Sequence, residues 1–242
     1  FRTLLEKPTG DVKHSGLHGP RSGKQHMPEV SFAGPDGRLE GRYHPAPAAD
    51  APIALVLHPH PQYGGNMNNR VTYALHYAFR DLGFTVMRFN FRGVGRSQGS
   101  FDQGVGELSD AASALDYLQF QKPNARACWV AGFSFGAWIG MQLLMRRPEI
   151  TGFVSVAPPA NLYDFSFLAP CPSSGLIVNG EADRIVPAGD TKGLVDKLQA
   201  QKGITVTHTT IPEANHFFEK GLEEMIDVVK GYVHSRLVQG GR

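Results

Sequence analysis

Ala131-Gly132-Phe133-Ser134-Phe135-Gly136-Ala137 is the stretch on which the reading of this chain turns. Before it, residues 126–130 form a short apolar run that reads as a buried strand. After it, residues 137–145 read as a helix. A strand that turns sharply into a helix with a serine at the apex leaves the Ser134 hydroxyl exposed. The turn forces the serine into a backbone region that usually favours glycine. Gly132 and Gly136 let strand and helix approach without a Cβ clash. Alone, Gly-x-Ser-x-Gly is a short pattern, and a Gly-rich turn with a solvated serine also fits it.

The chain around it alternates strands and helices. Residues 29–33 and 38–44 alternate in polarity and flank Gly34-Pro35-Asp36-Gly37, a hairpin signal. Residues 53–57 are a continuous apolar strand, and 66–82 read as a helix stopped by Gly83. A strand over 84–89 and a helix over 106–120 precede the Ser134 segment. Beyond it come strands over 150–156, 176–178 and 204–209, with helices over 188–201 and 221–238. Central strands that are apolar throughout imply a parallel sheet covered on both faces, with an antiparallel hairpin at its start. The fold class is therefore α/β, with no internal repeat and no second domain.

A serine hydroxyl needs a base to take its proton and an acid to orient that base. In a parallel sheet, loops after the C-terminal strand ends meet in space. The strand over 176–178 is followed by Gly180-Glu181-Ala182-Asp183, and the next by Glu213-Ala214-Asn215-His216. The order Ser134, Asp183, His216 makes these the candidate nucleophile, orienter and base. Asp164, Glu181 and Glu213 are rivals for the acid. An oxyanion would need two N–H donors. One is that of Phe135. The other belongs to the loop His58-Pro59-His60-Pro61, where the prolines have no N–H. His60 is preferred there, with Tyr63, Gly64 and Gly65 as alternatives.

His58 and His60 lack the further ligands that a metal needs, so no metal is expected. Arg92-Gly93-Val94-Gly95-Arg96-Ser97 lacks the Gly-x-Gly-x-x-Gly spacing of a dinucleotide site. It reads as a tight loop whose arginines pair with carboxylates, and no cofactor is expected.

Charge separates the chain's start from its body. Residues 1–26 carry five basic and two acidic residues, against nineteen and twenty in the remainder. The near-neutral body gives no case for nucleic-acid or membrane-surface partners. Residues 1–26 lack periodicity and a signal-peptide core. They are expected to be a vector-derived extension, with Met27 the native start and 27–242 one domain. No apolar run approaches the length of a membrane span. Cys128 and Cys171 are expected about two strand spacings apart, roughly 10 Å, too far to bridge. A reducing cytoplasm follows as the expected location.

Taken together, several motifs in order resemble the α/β-hydrolases, specifically a small bacterial group related to the dienelactone hydrolases. They are Leu57-His58-Pro59-His60-Pro61 with Gly64-Gly65, residues 92–97, Gly132-Phe133-Ser134-Phe135-Gly136, Gly180-Glu181-Ala182-Asp183 and Asn215-His216-Phe217-Phe218. The resemblance covers about residues 28–237. It implies an eight-stranded, mostly parallel sheet and serine-hydrolase chemistry without a cofactor. Dienelactone hydrolases use cysteine where this chain has Ser134, so lactone specificity does not transfer. The resemblance also exposes a gap: too few residues separate the strands over 150–156 and 176–178 for a helical cap. An open site is expected, walled by Tyr63, Phe133, Phe135, Leu162, Phe165, Phe167 and Phe217. It suits a small ester with a short or medium acyl chain. Acyl-thioesters, or binding without catalysis, are the alternatives. The aromatic stretch 163–168 suits a contact between copies as well as a pocket wall, which leaves a homo-oligomer open.

Overall fold

The apolar run Ile53–Leu57 becomes a wholly buried central strand, and its alternation divides the core. Ile53, Leu55 and Leu57 enter one hydrophobic cluster, while Ala54 and Val56 enter a second on the opposite face. A two-residue period across a sheet covered on both sides requires this division.

The structure is a computed structural model that describes residues 28–240. The expected extension at residues 1–26 therefore lies outside the described residues. Strands β1 (Glu29–Gly34) and β2 (Gly37–His44) form a hairpin, and Gly37 takes φ 112° beside its two-residue turn. There follow β3 (Ile53–Leu57), a 3-10 turn (Pro61–Tyr63), α1 (Arg70–Asp81), β4 (Thr85–Phe89) and α2 (Val105–Gln121). The second half runs β5 (Cys128–Phe133), α3 (Phe135–Leu144), β6 (Ile150–Val156), β7 (Gly175–Gly180), α4 (Ala188–Gln199), β8 (Val206–Ile211) and α5 (Leu222–Gly240). The eight strands lie in the order β1-β2-β4-β3-β5-β6-β7-β8. Pairing is antiparallel for β1–β2 and β2–β4 and parallel elsewhere. This is the α/β-hydrolase fold. Apolar residues of α2, α3 and α4 cover one face and those of α1 and α5 the other.

Several boundaries differ from the sequence reading by one or more residues, and three of them show why. Helix α1 starts at Arg70, not residue 66. Asn69 caps it by accepting from the N–H groups of Val71 and Thr72, while Asn66 accepts from Asn68. Asn side chains compete with the helical backbone pattern, which is why they sit at caps and turns. Helix α3 starts at Phe135, directly after Ser134. Strand β8 starts two residues later than expected, because its register with β7 begins at Gly175 opposite Val206.

Residues 157–174 join β6 to β7 without helix or strand, so this connection forms no cap domain. Cys128 and Cys171 are both buried and unbridged, and β6 lies between β5 and β7. No helix among the described residues is long and apolar enough to cross a membrane.

Candidate active site

Ser134 is the hinge between β5 and α3, with φ 52° and ψ −118°. A non-glycine residue held there costs about 1–3 kcal/mol, which the surroundings must offset. The Ser134 N–H donates to Val156 O at 2.9 Å, and its carbonyl accepts from Ala137 and Trp138. A Cβ on Gly132 would lie 2.2 Å from Gly136 O, and one on Gly136 would lie 2.5 Å from the carbonyl oxygens of Leu57 and His58. Both positions must therefore be glycine, as the sequence reading expected.

The loops after β7 and β8 bring two further groups to the serine. Asp183 and His216 are each 5% exposed. Asp183 Oδ2 lies 2.7 Å from His216 Nδ1, and His216 Nε2 lies 3.1 Å from Ser134 Oγ. The other carboxylate oxygen of Asp183 accepts from the N–H groups of Ile185 and Val186, each at 2.8 Å. A carboxylate can only accept, so the imidazole proton sits on Nδ1 and Nε2 offers its lone pair to the serine. Gly180 lets the two loops meet, because a Cβ there would lie 2.2 Å from Ala214 O. The Ala182 N–H donates to that same oxygen at 2.9 Å.

The rival acids are occupied elsewhere. Asp164 is exposed and accepts from the N–H and hydroxyl of Ser166, which pull its pKa down. Glu181 accepts from the Glu213 N–H, and Glu213 pairs with Lys220.

The loop after β3 is drawn into a tight ring. Its His60 carbonyl accepts from the N–H groups of Tyr63 at 3.2 Å and Gly65 at 3.0 Å. Those two N–H groups are thereby committed. Among the described residues, the N–H groups of His60, Gly64 and Phe135 have no acceptor, so Gly64 stays an alternative to His60. The Phe135 N–H opens α3, where helix N–H groups are unpaired and the local field favours negative charge.

His58 does something the sequence did not reveal. It is fully buried, donates from Nδ1 to Pro59 O at 2.6 Å, and accepts at Nε2 from the Phe91 N–H at 3.0 Å. Both ring nitrogens are thus spent on backbone, and burial lowers its pKa to about 3. Among the described residues no group of three His, Cys, Asp or Glu side chains could hold a metal. The arginine-glycine loop is likewise internally paired. Arg92 binds Asp110 through Nε and Nη2, and Arg96 binds Glu40.

The expected pocket walls separate into three groups. Tyr63, Leu162 and Phe217 are exposed, on loops after β3, β6 and β8. Phe165 is buried and stacks on Phe167 at 6.0 Å. With Tyr163, Leu168 and Leu194, Phe165 lines a cavity of about 620 Å³ between the β6–β7 loop and α4. Phe133 corrects the expectation. It is fully buried in the cluster under α1 and α5, with its ring 5.2 Å from that of His216. Strand alternation, which continues to the last residue of β5, turns it into the core. The Phe135 side chain is also buried, among His60, Phe91, Phe101, Trp138 and Tyr163. The sequence reading missed this aromatic nest. The three-residue spacing of Phe135 and Trp138 on α3 was its one readable signal.

Residues 42–182, more than half of the chain, match the family model described as X-Pro dipeptidyl-peptidase (S15 family). The match includes Ser134 and stops before Asp183 and His216. The chain is 63% identical to the Agrobacterium tumefaciens protein ATU1826, a candidate α/β hydrolase, with a TM-score of 0.86 over 88% of this chain and 97% of that one. It is 33% identical to XC6422 of Xanthomonas campestris, an α/β serine hydrolase without a lid. There the TM-score is 0.78, over 87% and 95% of the two chains. It is also 54% identical to the Rickettsia prowazekii protein RP471, across 86% of this chain and 89% of the relative.

Proposed function

Because this chain belongs to the α/β-hydrolase superfamily and matches the S15 family model over residues 42–182, we propose that it is a serine carboxylic-ester hydrolase acting on small esters. One observation carries the reading: the hydrogen-bond chain from Asp183 through His216 to Ser134. In this scheme Ser134 Oγ attacks the ester carbonyl carbon while His216 Nε2 takes its proton. Asp183 holds the ring and stabilises the imidazolium. The carbonyl oxygen, now an anion, receives the N–H groups of Phe135 and His60. The tetrahedral centre collapses, the C–O bond to the alcohol breaks, and His216 returns the proton to the leaving oxygen. Water then attacks the acyl-enzyme, giving its proton to His216, and Ser134 leaves with that proton as the free carboxylic acid forms.

Substrate size follows from what surrounds the serine. With only residues 157–174 between β6 and β7, no cap among the described residues encloses a long chain, which supports short to medium acyl groups. The buried free cysteines support a reducing, cytoplasmic setting.

The family match favours a second reading, hydrolysis of peptides with proline in the second position. The decisive experiment offers p-nitrophenyl butyrate, a butyryl thioester and an X-Pro p-nitroanilide to the wild type and to Ser134→Ala. Fastest turnover of the oxygen ester, falling by several orders of magnitude in Ser134→Ala, is the expected result. Preference for the thioester or the anilide would replace the esterase reading. Turnover that survives the substitution would remove Ser134 from the chemistry.

A further inference from the structure

The scheme above uses only the backbone N–H of His60, yet its ring is firmly held. Nδ1 accepts from the Gln62 N–H at 3.2 Å. The ring centroid lies 4.6 Å from that of Tyr63 and 4.9 Å from those of Phe101 and Phe135. A ring nitrogen that accepts from a backbone N–H must present a lone pair, so the proton of neutral His60 sits on Nε2. Partial burial lowers the pKa of the ring, which favours the neutral form. Nε2 has no acceptor among the described residues, and unlike the buried orphan oxygens of Ser155 and Thr191 it is not sealed from solvent. An N–H donor without a protein acceptor therefore sits on a ring 4.9 Å from that of Phe135, the residue after the candidate nucleophile.

We propose that the Nε2–H of His60 is a substrate-binding donor that selects esters carrying a second oxygen acceptor near the scissile carbonyl. The proposal rests on the serine-esterase reading. In the free protein this N–H is left to solvent, since no protein acceptor meets it. An alkyl ester that covers it strips the water and leaves the donor unpaired. An ester with an ether, hydroxyl or keto oxygen at that place supplies the lost hydrogen bond. Sites built around such a donor reject analogues that lack the acceptor more strongly than apolar pockets reject a size mismatch. The aromatic contacts and the Gln62 bond restrict the ring's motion, which is what lets one hydrogen bond give selectivity.

The test uses two matched pairs, in each of which an ether oxygen replaces one methylene. They are p-nitrophenyl methoxyacetate against butyrate, and 2-methoxyethyl acetate against butyl acetate. The quantity read is the kcat/KM ratio of the ether to the alkyl member. His60→Phe keeps an aromatic ring in the nest and keeps the backbone N–H, but removes the donor. The ratio should fall about tenfold in at least one pair, because intrinsic reactivity cancels between enzymes. His60→Gln, which retains an N–H donor, should recover part of it. A ratio unchanged within twofold in both pairs, or equal losses for both members, would overturn the proposal.

A second measurement needs no His60 variant. In Ser134→Ala protein with 15N-labelled histidine, the Nε2 resonance of His60 should shift with the ether ester and not with its alkyl partner. Equal shifts, or none, would overturn the proposal. Labelling of the wild type by a fluorophosphonate separates the two failures. Labelled protein with an unchanged ratio sinks only the His60 proposal, while protein that neither labels nor hydrolyses any ester sinks the esterase reading.

Discussion

The carboxylate of Asp183 faces His216 with one oxygen, at 2.7 Å from Nδ1, while the N–H groups of Ile185 and Val186 hold the other. Neither oxygen is free to turn away. Asp183 thus fixes the plane and the tautomer of the imidazole that reaches Ser134.

Asp183→Asn tests that fixing. The amide can place its NH₂ against Nδ1, which would move the imidazole proton to Nε2 and point a donor at the serine. Ester kcat/KM should drop about 10³–10⁴-fold. Thermal unfolding should show a folded protein, since the amide oxygen can still accept from Ile185 and Val186. A loss under tenfold in steady-state assays would mean that another group orients His216.

Two glycine-to-alanine changes should move stability in opposite directions. At Gly136 the new Cβ would meet backbone oxygens of β3 and its loop at 2.5 Å, and backbone cannot give way cheaply. Gly136→Ala should cost about 2–4 kcal/mol and displace the serine turn, visible as lower denaturant midpoint and activity. Gly193 sits inside α4, and nothing lies within 4 Å of the place an alanine methyl would take. Gly193→Ala should stabilise by about 0.5–1 kcal/mol, because alanine loses less backbone entropy in a helix.

Acid should destabilise the protein through its buried neutral histidines. Burial lowers the pKa of His58 to about 3 and that of His76 to about 2, against an ordinary 6.5. Below 6.5 the unfolded chain binds protons that the folded chain refuses. Their contribution is therefore complete above pH 6.5 and is lost as pH falls towards 3 and 2. Between pH 6.5 and 5 each histidine should remove about 2 kcal/mol. Urea unfolding at pH 7.5 and pH 5 measures the loss. His58→Gln can keep the bonds to Pro59 and Phe91 without titrating, so the loss should shrink by roughly half. An unchanged loss would assign the acid sensitivity to other groups.

Much of the candidate site was legible because local chemistry wrote it. The turn at Ser134 needs Gly132 so that strand and helix can close on each other, the neighbouring β3 backbone needs Gly136, and the order of strands sets which loops share the sheet's edge. The continuous apolar strands announced a two-faced sheet for the same local reason. The wall residues were less legible. Phe133 and Phe217 are both aromatics beside candidate site residues, yet one is buried and the other half exposed. Only strand alternation at the end of β5 and the packing of α1 and α5 separate them.

By itself, then, the sequence determined the α/β order, the serine turn, and the acid and histidine that follow later strands. Each depends on backbone sterics or on a periodicity that neighbouring residues encode. Tertiary structure alone decided which acid meets His216, which backbone N–H groups stay open, and that His58 is locked in the core while His60 stays partly exposed with Nε2 free of a protein acceptor. Those outcomes depend on contacts between segments far apart in sequence, such as Asp183 with His216, 33 residues apart, and His216 with Ser134, 82 apart. No local pattern encodes such distances. They arise when parallel strands bring their following loops to one edge and close packing leaves each side chain a single place to go.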